Sequence, residues 1–220
     1  RQRLTQHGFE VTDRERFGEQ YLDFQHPCGV DYSLVAVADD QRTPHTKGPV
    51  PADMMIRGTH SIGVSTRDME MMDEFLQLGW GGKRTADESG RVRYELGEGG
   101  SGALIDFDIE PDRKPGSWTV GEGTIHHMAF QIGNHELQDQ LKFHLEGMGY
   151  TDVSDVKDRG YFDSIYVRTP SGALFEATVS HDDGFCGDEA PEEIGTKVML
   201  APQLKVSKEE MMAELGYLKD

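Results

Sequence analysis

One histidine and one glutamate in the chain have the types and surroundings that metal chemistry needs. His127 lies in the segment TIHHMAFQI, and Glu176 lies later in ALFEATV, an otherwise apolar segment. A carboxylate in an apolar strand needs a partner or a metal, because burying an unpaired charge is unfavourable. An imidazole and a carboxylate are two of the three groups in the 2-His-1-carboxylate triad of non-haem iron oxygenases. The pair predicts a metal site on the concave face of a sheet, although His127 by itself also suits a hydrogen-bonded core residue.

A second histidine and acid compete for the same interpretation. Asp106 occupies the same position in a repeat (below) as Glu176, and His60 opens the first strand of that copy. Aligned from the start of the following helix, His60 is shifted by one residue against His127, and a shift of one residue turns a side chain to the other face. The pair is therefore interpreted as the remnant of a duplication, with a second ligand pair as the alternative. In the first copy, Ser33 stands at the repeat position of Asp106 and Glu176, and it cannot bind a metal.

An internal repeat predicts the elements that must position these residues. Three segments share the order strand, glycine turn, strand: YLDFQHPCGVDYSLV (21–35), YELGEGGSGALIDFD (94–108) and YVRTPSGALFEATV (166–179). Gly29, Gly102 and Gly172 fall at the turns, where a backbone of positive φ suits glycine.

In two copies a strand and a helix precede this hairpin. Residues 58–65 alternate like a strand, and Met69, Met72 and Leu76 then follow at helical spacing. Residues 124–132 predict the first strand of the last copy, and residues 151–157 and 160–167 predict two more. A helix is predicted after the first of these strands, with Asn134 as its N-cap. Its apolar face consists of Leu137, Leu141 and Leu145, and Gly147 and Gly149 stop it. Both copies therefore have the order β-α-β-β-β.

The fold class is therefore predicted to be α+β, with repeated β-α-β-β-β modules. The predicted division is a partial module at 1–38, consisting of a helix end and three strands. A proline-containing linker at 39–56 follows, then a module at 57–118, a module carrying the metal ligands at 119–181, and a C-terminal loop and helix at 182–220. Ser207 and Glu210 form a capping-box signal for a last helix near 208–217.

The bulk composition excludes several classes of function. The chain of 220 residues has 22 Lys+Arg against 40 Asp+Glu and a formal charge of −18. This balance argues against nucleic acid or an anionic membrane as a partner, since both attract basic surfaces. Only Cys28 and Cys186 occur, so a disulfide framework and a thiolate zinc site are not expected. Without a long apolar run or a signal-peptide pattern, we expect a cytoplasmic protein.

Several of these segments together resemble a known family. The sequences GTIHHMAFQI, DRGYFDSIYVRTPSGALFEAT and GRVRYELGEGGSGALIDF are similar to ring-cleaving dioxygenases of the vicinal oxygen chelate (glyoxalase/bleomycin-resistance/dioxygenase) superfamily. The branch acting on hydroquinone-type substrates is the most similar one, and RFGEQYLDFQHP and IGTKVMLAPQL also resemble it. The resemblance implies four modules, of which this chain would hold half of the second, the third, the fourth and the tail.

Residue roles follow from the resemblance, position by position. It implies that His127 and Glu176 are iron ligands and that His126, Arg159 and Tyr166 surround the substrate. An arginine can hold an oxyanion, a tyrosine can donate to a ligand, and a histidine can move a proton. Arg159 and Tyr166 also suit ordinary surface and strand positions, and His126 could pack on the face opposite to His127.

The resemblance places the third ligand, a histidine, in the first module, upstream of Arg1. These 220 residues alone are therefore expected to hold metal weakly or not at all. The implied cofactor is Fe(II), with Mn(II) as a possible substitute, and O₂ is the co-substrate for cleaving a small hydroxylated aromatic ring. The open apolar face of the last module is expected to be covered by another copy of the chain, by the tail or by an unseen segment. A homo-oligomer is expected as well.

Two other functions remain open at the level of sequence. One is a glyoxalase-type isomerase or transferase of the same fold, which needs no O₂. The other is a non-enzymatic protein that binds aromatic drugs. The remaining histidines are interpreted as loop or exposed helix residues without chemistry, and they are His7, His26, His45, His135, His144 and His181.

Overall fold

A computed structural model describes residues 1–44, 48–114, 116, 121, 123–194, 196–200 and 204–214. His45 and the predicted helical residues 215–217 lie outside these ranges. The chain forms two compact units, the first comprising Arg1–His126 with Thr169–Ala173 and the second His127–Arg168 with Leu174–Asp220. None of the described helices is both long and apolar enough to span a membrane.

The first unit begins with the predicted helix end and three strands. Helix α1 (Gln2–Gln6) precedes β1 (Thr12–Arg16), β2 (Glu19–Gln25) and β3 (Asp31–Val35), which form an antiparallel sheet in chain order. A 3-10 turn at Ala52–Met54 lies in the predicted linker.

The same unit contains the first full β-α-β-β-β order. Its elements are β4 (Ser61–Thr66), α2 (Glu70–Glu74) continued by a π-helical turn (Phe75–Gly79), β5 (Lys83–Glu88), β6 (Arg91–Glu95) and β7 (Leu104–Ile109). The sheet order is β4-β7-β6-β5, with β4 parallel to β7. Met69, Met72 and Leu76 are buried as their helical spacing predicts.

The second unit repeats that order. Its elements are β8 (Met128–Gln131), α3 (His135–Gly147), β9 (Lys157–Asp158), β10 (Phe162–Arg168) and β11 (Leu174–Ser180), with sheet order β8-β11-β10-β9. A 3-10 turn (Gly184–Cys186) and α4 (Lys208–Glu214) follow. The α+β class with repeated modules is confirmed, whereas the exact domain boundaries stay a prediction. Positive φ at Gly102 and Gly172 confirms the glycine turns.

Two predicted strands are shorter than the sequence suggests. β8 begins only at Met128, where its pairing with Phe175 of the parallel strand β11 starts. Residues 124–127, including His127, therefore precede the strand. The strand predicted at 151–157 is wrong except at its end. Its ladder with β10 is limited to Lys157 and Asp158, and before them the Ser154 N–H donates an isolated bond to the Tyr166 carbonyl at 2.9 Å.

Helix α3 packs its inner face on β10 and β11, but that face differs from the predicted one. Leu145 is fully buried, whereas Leu137 is 45% exposed and Gln138 takes the buried position beside it. The Gln138 amide donates to the carbonyls of Asp163 at 3.0 Å and Ala177 at 2.8 Å. A polar residue is stable there because it satisfies backbone groups of the sheet.

Both predicted helix caps are present. The Asn134 side chain accepts from the Leu137 N–H at 2.9 Å, and α3 ends at Gly147. At α4, the Ser207 hydroxyl accepts from the Glu210 N–H while the Glu210 carboxylate accepts from the Ser207 N–H. This reciprocal pair is the capping box that the sequence predicts.

Replacing Asn134 with alanine is expected to lower the free energy of unfolding by about 1 kcal/mol, because an N–H of the first turn then loses its partner. Urea unfolding followed by circular dichroism measures the change. The matched control is Asn134→Asp, which keeps an accepting oxygen and should unfold within about 0.5 kcal/mol of the parent. Equal stability of the alanine and parent proteins would show that the cap contributes nothing.

Candidate metal centre

The pairing of β10 with β11 places four polar side chains on one face of the second unit. Tyr166 pairs with Glu176, and Ser164 pairs with Thr178. Because side chains alternate along a strand, these four point to the same side. The intervening residues point to the helix side and form the buried core, namely Ile165, Val167, Phe175 and Ala177. The strand period thus brings a carboxylate and three hydroxyl groups together.

The carboxylate of Glu176 is almost completely buried and is held by hydroxyl groups. Its side chain is 2% exposed. The Oε1 atom accepts from Tyr166 at 3.0 Å, from Thr178 at 3.2 Å and from the Ser164 hydroxyl. These donors are neutral, so they orient the carboxylate without balancing its charge. A buried carboxylate of this kind is stabilised by a positive partner.

The second oxygen of Glu176 faces His127. The Oε2 atom lies 2.9 Å from Nε2 of His127. His127 immediately precedes β8, and β8 runs parallel to β11 with Ala129 opposite Glu176, which brings the imidazole to the carboxylate. The His127 side chain is 39% exposed, so the pair is open on the imidazole side. A separation of 2.9 Å suits a hydrogen bond and also two neighbouring ligands of one ion, each about 2.1 Å from it.

Tyr166 and Arg159 lie beside this pair. The Arg159 Nε donates to the Tyr166 hydroxyl at 3.2 Å, and its guanidinium stacks over the Tyr166 ring at 5.3 Å. The Tyr166 ring contacts the imidazole of His127 edge to face. Burial raises the pKa of Tyr166, and the neighbouring carboxylate of Glu176 raises it further while Arg159 opposes the rise. Tyr166 is therefore a protonated donor at neutral pH.

The structure brings four of the five predicted site residues together, namely His127, Arg159, Tyr166 and Glu176. His126 is exposed and belongs to the first compact unit. Sequence reasoning missed Ser164 and Thr178, the other two hydroxyl donors to Glu176. The signal that could have found them is the period of two along β10 and β11, counted from Tyr166 and Glu176.

The equivalent position in the first unit has different neighbours. There Asp106 pairs with Gly63 of β4 and with Arg93 of β6, just as Glu176 pairs with Ala129 and Tyr166. By this register, Ser61 corresponds to His127 and His60 corresponds to His126. The one-residue shift inferred from the sequence is therefore present in the sheet.

Arg93 fills the place beside Asp106. Its guanidinium donates to both carboxylate oxygens of Asp106, at 2.7 and 2.9 Å, and also to Glu19 at 2.7 Å and to the Tyr21 hydroxyl at 2.9 Å. His60 contacts Glu19 instead, with Nε2 at 3.1 Å from a carboxylate oxygen. The alternative of a His60–Asp106 ligand pair is therefore wrong, because a permanent cation already neutralises Asp106.

The donor set of the second unit fits a divalent transition metal. An imidazole nitrogen and a carboxylate oxygen are ligands of non-haem iron, and the remaining Glu176 oxygen is fixed by hydroxyl groups in the way that outer hydrogen bonds orient metal ligands. Among the described residues this arrangement offers two candidate ligands, and a facial triad needs one more histidine.

Comparisons with known proteins relate this chain to an enzyme family. The chain is 45% identical, over 205 residues, to a chlorohydroquinone/hydroquinone 1,2-dioxygenase from Sphingobium indicum, covering 92% of this chain and 63% of that protein. The chain thus spans less than two-thirds of the length of this relative. A search against family models finds no match.

Solved structures give the same relationship. A crystal structure described as a "putative dioxygenase" from Bacillus subtilis superposes with a TM-score of 0.84 at 31% identity, covering 99% of this chain and 68% of that one. A glyoxylase/bleomycin resistance protein/dioxygenase domain from Frankia sp. EAN1pec superposes with a TM-score of 0.50 at 12% identity, covering 58% of this chain and 94% of that one. The latter likeness concerns the fold alone.

Proposed function

We propose that the protein uses Fe(II) and O₂ to cleave a hydroxylated aromatic ring. The premise is that this chain belongs to the ring-cleaving dioxygenase family of the vicinal oxygen chelate superfamily. The substrate class is a hydroquinone or a catechol, and the relative from Sphingobium indicum, named for hydroquinones, supports the first.

The observation that carries the proposal is the contact between His127 and Glu176. A carboxylate with 2% exposure is oriented by three hydroxyl groups at one oxygen, and its second oxygen lies 2.9 Å from an imidazole nitrogen. Structural ion pairs also have such geometry, but here Tyr166 and Arg159 lie beside the pair and add a hydroxyl group and a permanent positive charge to it. Together the four residues form a place for an ion and an anionic ligand.

Bound Fe(II) would supply open coordination positions at which a hydroxylated ring and O₂ can meet. His127 and Glu176 would hold it, and by the family resemblance the third ligand is a histidine upstream of Arg1. Mn(II) is an alternative ion because it also accepts nitrogen and oxygen ligands.

The chain's other residues bind the substrate and handle its proton in this proposal. Arg159 carries a permanent positive charge and is suited to hold an ionised ring hydroxyl. Tyr166 stays protonated and donates to Glu176, which fixes the carboxylate for its ligand role. His126 precedes a ligand in the chain and is assigned the proton transfer that accompanies ring opening.

Oxygen uptake by the intact protein tests the proposal. The protein is stripped of metal, loaded with Fe(II) without air and then mixed with hydroquinone in an oxygen-electrode cell. One O₂ should be consumed for each hydroquinone, and both atoms of ¹⁸O₂ should appear in a ring-opened product. Hydroquinone and catechol consumed without oxygen uptake would instead indicate a glyoxalase-type isomerase or transferase. Aromatic binding that is independent of metal, without turnover, would indicate a binding protein.

Replacing Tyr166 with phenylalanine is expected to lower kcat/KM for hydroquinone about 10- to 100-fold, because removing a hydrogen bond to a metal ligand has effects of this size. Iron affinity should fall as well, since Glu176 keeps only Ser164 and Thr178 as donors. Steady-state oxygen uptake and equilibrium dialysis measure the two effects. The matched control Tyr32→Phe removes the hydroxyl of a tyrosine that is 51% exposed in β3 and should change neither. An unchanged Tyr166→Phe protein would remove Tyr166 from the site.

A further inference from the structure

A second group of metal-binding side chains lies on the opposite face of β10 from Ser164 and Tyr166. Asp163 is next to Ser164 in the strand, so its side chain points away from Glu176. Asp158, His135 and His181 gather around it, and these four residues are termed the outer cluster. His135 begins α3, Asp158 ends β9, Asp163 lies in β10, and His181 directly follows β11. The outer cluster therefore joins four elements of the second unit.

Both imidazoles of the outer cluster face the same carboxylate oxygen. Oδ2 of Asp163 lies 2.9 Å from Nε2 of His135 and 3.2 Å from Nε2 of His181. One donor atom each from Asp158, Asp163 and His181 lie within 4.8 Å of one another. His135 lies outside that group. One imidazole nitrogen and two carboxylates are a donor set that Zn²⁺ accepts in proteins, with a fourth position left for water.

His181 shows that a positive species belongs between the rings and the acids. Its Nδ1 lies 3.1 Å from the carbonyl oxygen of Gly160, while its Nε2 faces Asp163. A neutral imidazole carries one N–H, so it cannot donate to both oxygens. If Nδ1–H donates to the Gly160 carbonyl, the bare lone pair of Nε2 points at a carboxylate oxygen, and a proton or a metal ion must lie between them.

The Gly160 contact also matches the way in which zinc-binding histidines are held. Such a histidine donates its second N–H to a carbonyl or carboxylate, which fixes the tautomer and aims the other nitrogen at the ion. A divalent ion also suits the charge of the cluster, because two carboxylates, neutral imidazole rings and one such ion sum to zero.

We propose that the outer cluster is a second metal site, which binds one Zn²⁺ ion through Asp158, Asp163 and His181, with His135 hydrogen-bonded to Asp163 beside it. The ion would tie the turn after β9, which carries Arg159, to β10 and to the end of β11. Its role is thus to hold Arg159 in place rather than to take part in ring cleavage. The site is independent of the iron site, because it uses the other face of the sheet and other residues.

Zinc titration of the intact protein carrying Glu176→Gln tests this inference, since that substitution disables the proposed iron site. The protein is dialysed against chelator and titrated with Zn²⁺ in a calorimeter. One saturable site per chain is expected. Adding His181→Ala or Asp163→Asn should weaken the binding more than about tenfold, since even outer-sphere changes at zinc sites weaken affinity about 10- to 100-fold.

Two comparisons make the outcome specific. His144→Ala removes an exposed histidine from the same helix as His135 and should leave zinc affinity unchanged. Thermal melting of each apo variant identifies any that fails to fold, and Asp158→Asn, at an exposed side chain, then serves in its place. Absence of saturable Zn²⁺ uptake, or equal affinity in the His181→Ala and His144→Ala proteins, would overturn the proposal, whatever the result of the oxygen-uptake experiment.

Discussion

Replacing Glu176 with glutamine is expected to remove both iron and ring cleavage from the protein. The amide keeps the shape of the side chain, and its carbonyl oxygen can still accept from Ser164, Tyr166 and Thr178. What disappears is the negative charge and the oxygen that faces His127. Because changes in the outer sphere alone lower metal affinity about 10- to 100-fold, loss of a charged ligand should lower it by more than about 100-fold. Hydroquinone-dependent oxygen uptake should fall with it.

The matched control for Glu176→Gln is Asp106→Asn. Asp106 occupies the equivalent strand position in the first unit, but Arg93 is its partner. The Asp106→Asn protein should keep its iron and its hydroquinone activity while losing stability. Elemental analysis after gel filtration measures iron in both variants. Full iron content in Glu176→Gln would contradict the ligand assignment, and loss of iron in Asp106→Asn alone would move the metal site to the first unit.

Replacing Arg93 with methionine is expected to lower the free energy of unfolding by about 3–5 kcal/mol, because removing one partner of a buried ion pair leaves the other charge uncompensated. The Arg93 side chain is 8% exposed, and its removal leaves the neighbouring carboxylates of Asp106 and Glu19 without this positive partner. It also removes a donor from Tyr21, a residue whose pKa is raised to about 12 mainly by burial and by its bond to Glu19. The first unit should therefore melt earlier.

The control for Arg93→Met is Arg91→Met, two residues earlier in β6. Arg91 pairs with Asp108, but the two side chains are 25% and 41% exposed. Solvated pairs contribute only about 0–1 kcal/mol, so this variant should stay close to the parent. Denaturant unfolding compares the two. Equal losses in both variants would show that Arg93 is an ordinary surface arginine and not the replacement for a metal.

The repeat and the glycine turns were enough to predict the module order from the sequence. A strand, a turn that needs positive φ and a second strand recur three times, and the structure has glycine of positive φ at each. The predicted caps at Asn134 and Ser207 are also present, because capping depends on a few neighbouring residues.

Strand ends and the buried face of α3 could not be predicted in the same way. The length of β8 depends on its pairing with β11, which is a contact between distant parts of the chain. Gln138 is buried in preference to Leu137 because it meets two sheet carbonyls, and periodicity of apolar residues carries no information about them.

In the candidate site, too, some residues could be predicted from the sequence and others depend on contacts between distant parts of the chain. His127 and Glu176 were predicted from residue type and resemblance, since an acid in an apolar strand is visible in the sequence. Ser164 and Thr178 have no such signal, because a hydroxyl in a strand is common and only the register assigns it to Glu176. Arg93 was missed for the same reason, as its role depends on pairing opposite Asp106. His135 and His181 were interpreted as residues without chemistry, and only the three-dimensional contacts bring them to Asp163.

A crystal structure of the intact Fe(II)-loaded protein, with anomalous scattering recorded at the iron edge, tests the central claim most directly. We expect one iron peak within about 2.3 Å of both His127 Nε2 and Glu176 Oε2, a distance typical of nitrogen and oxygen ligands in metal sites. A histidine from outside the 220 residues should complete the triad. An iron peak beside Asp106 or in the outer cluster, with the His127–Glu176 contact free of metal, would contradict the account.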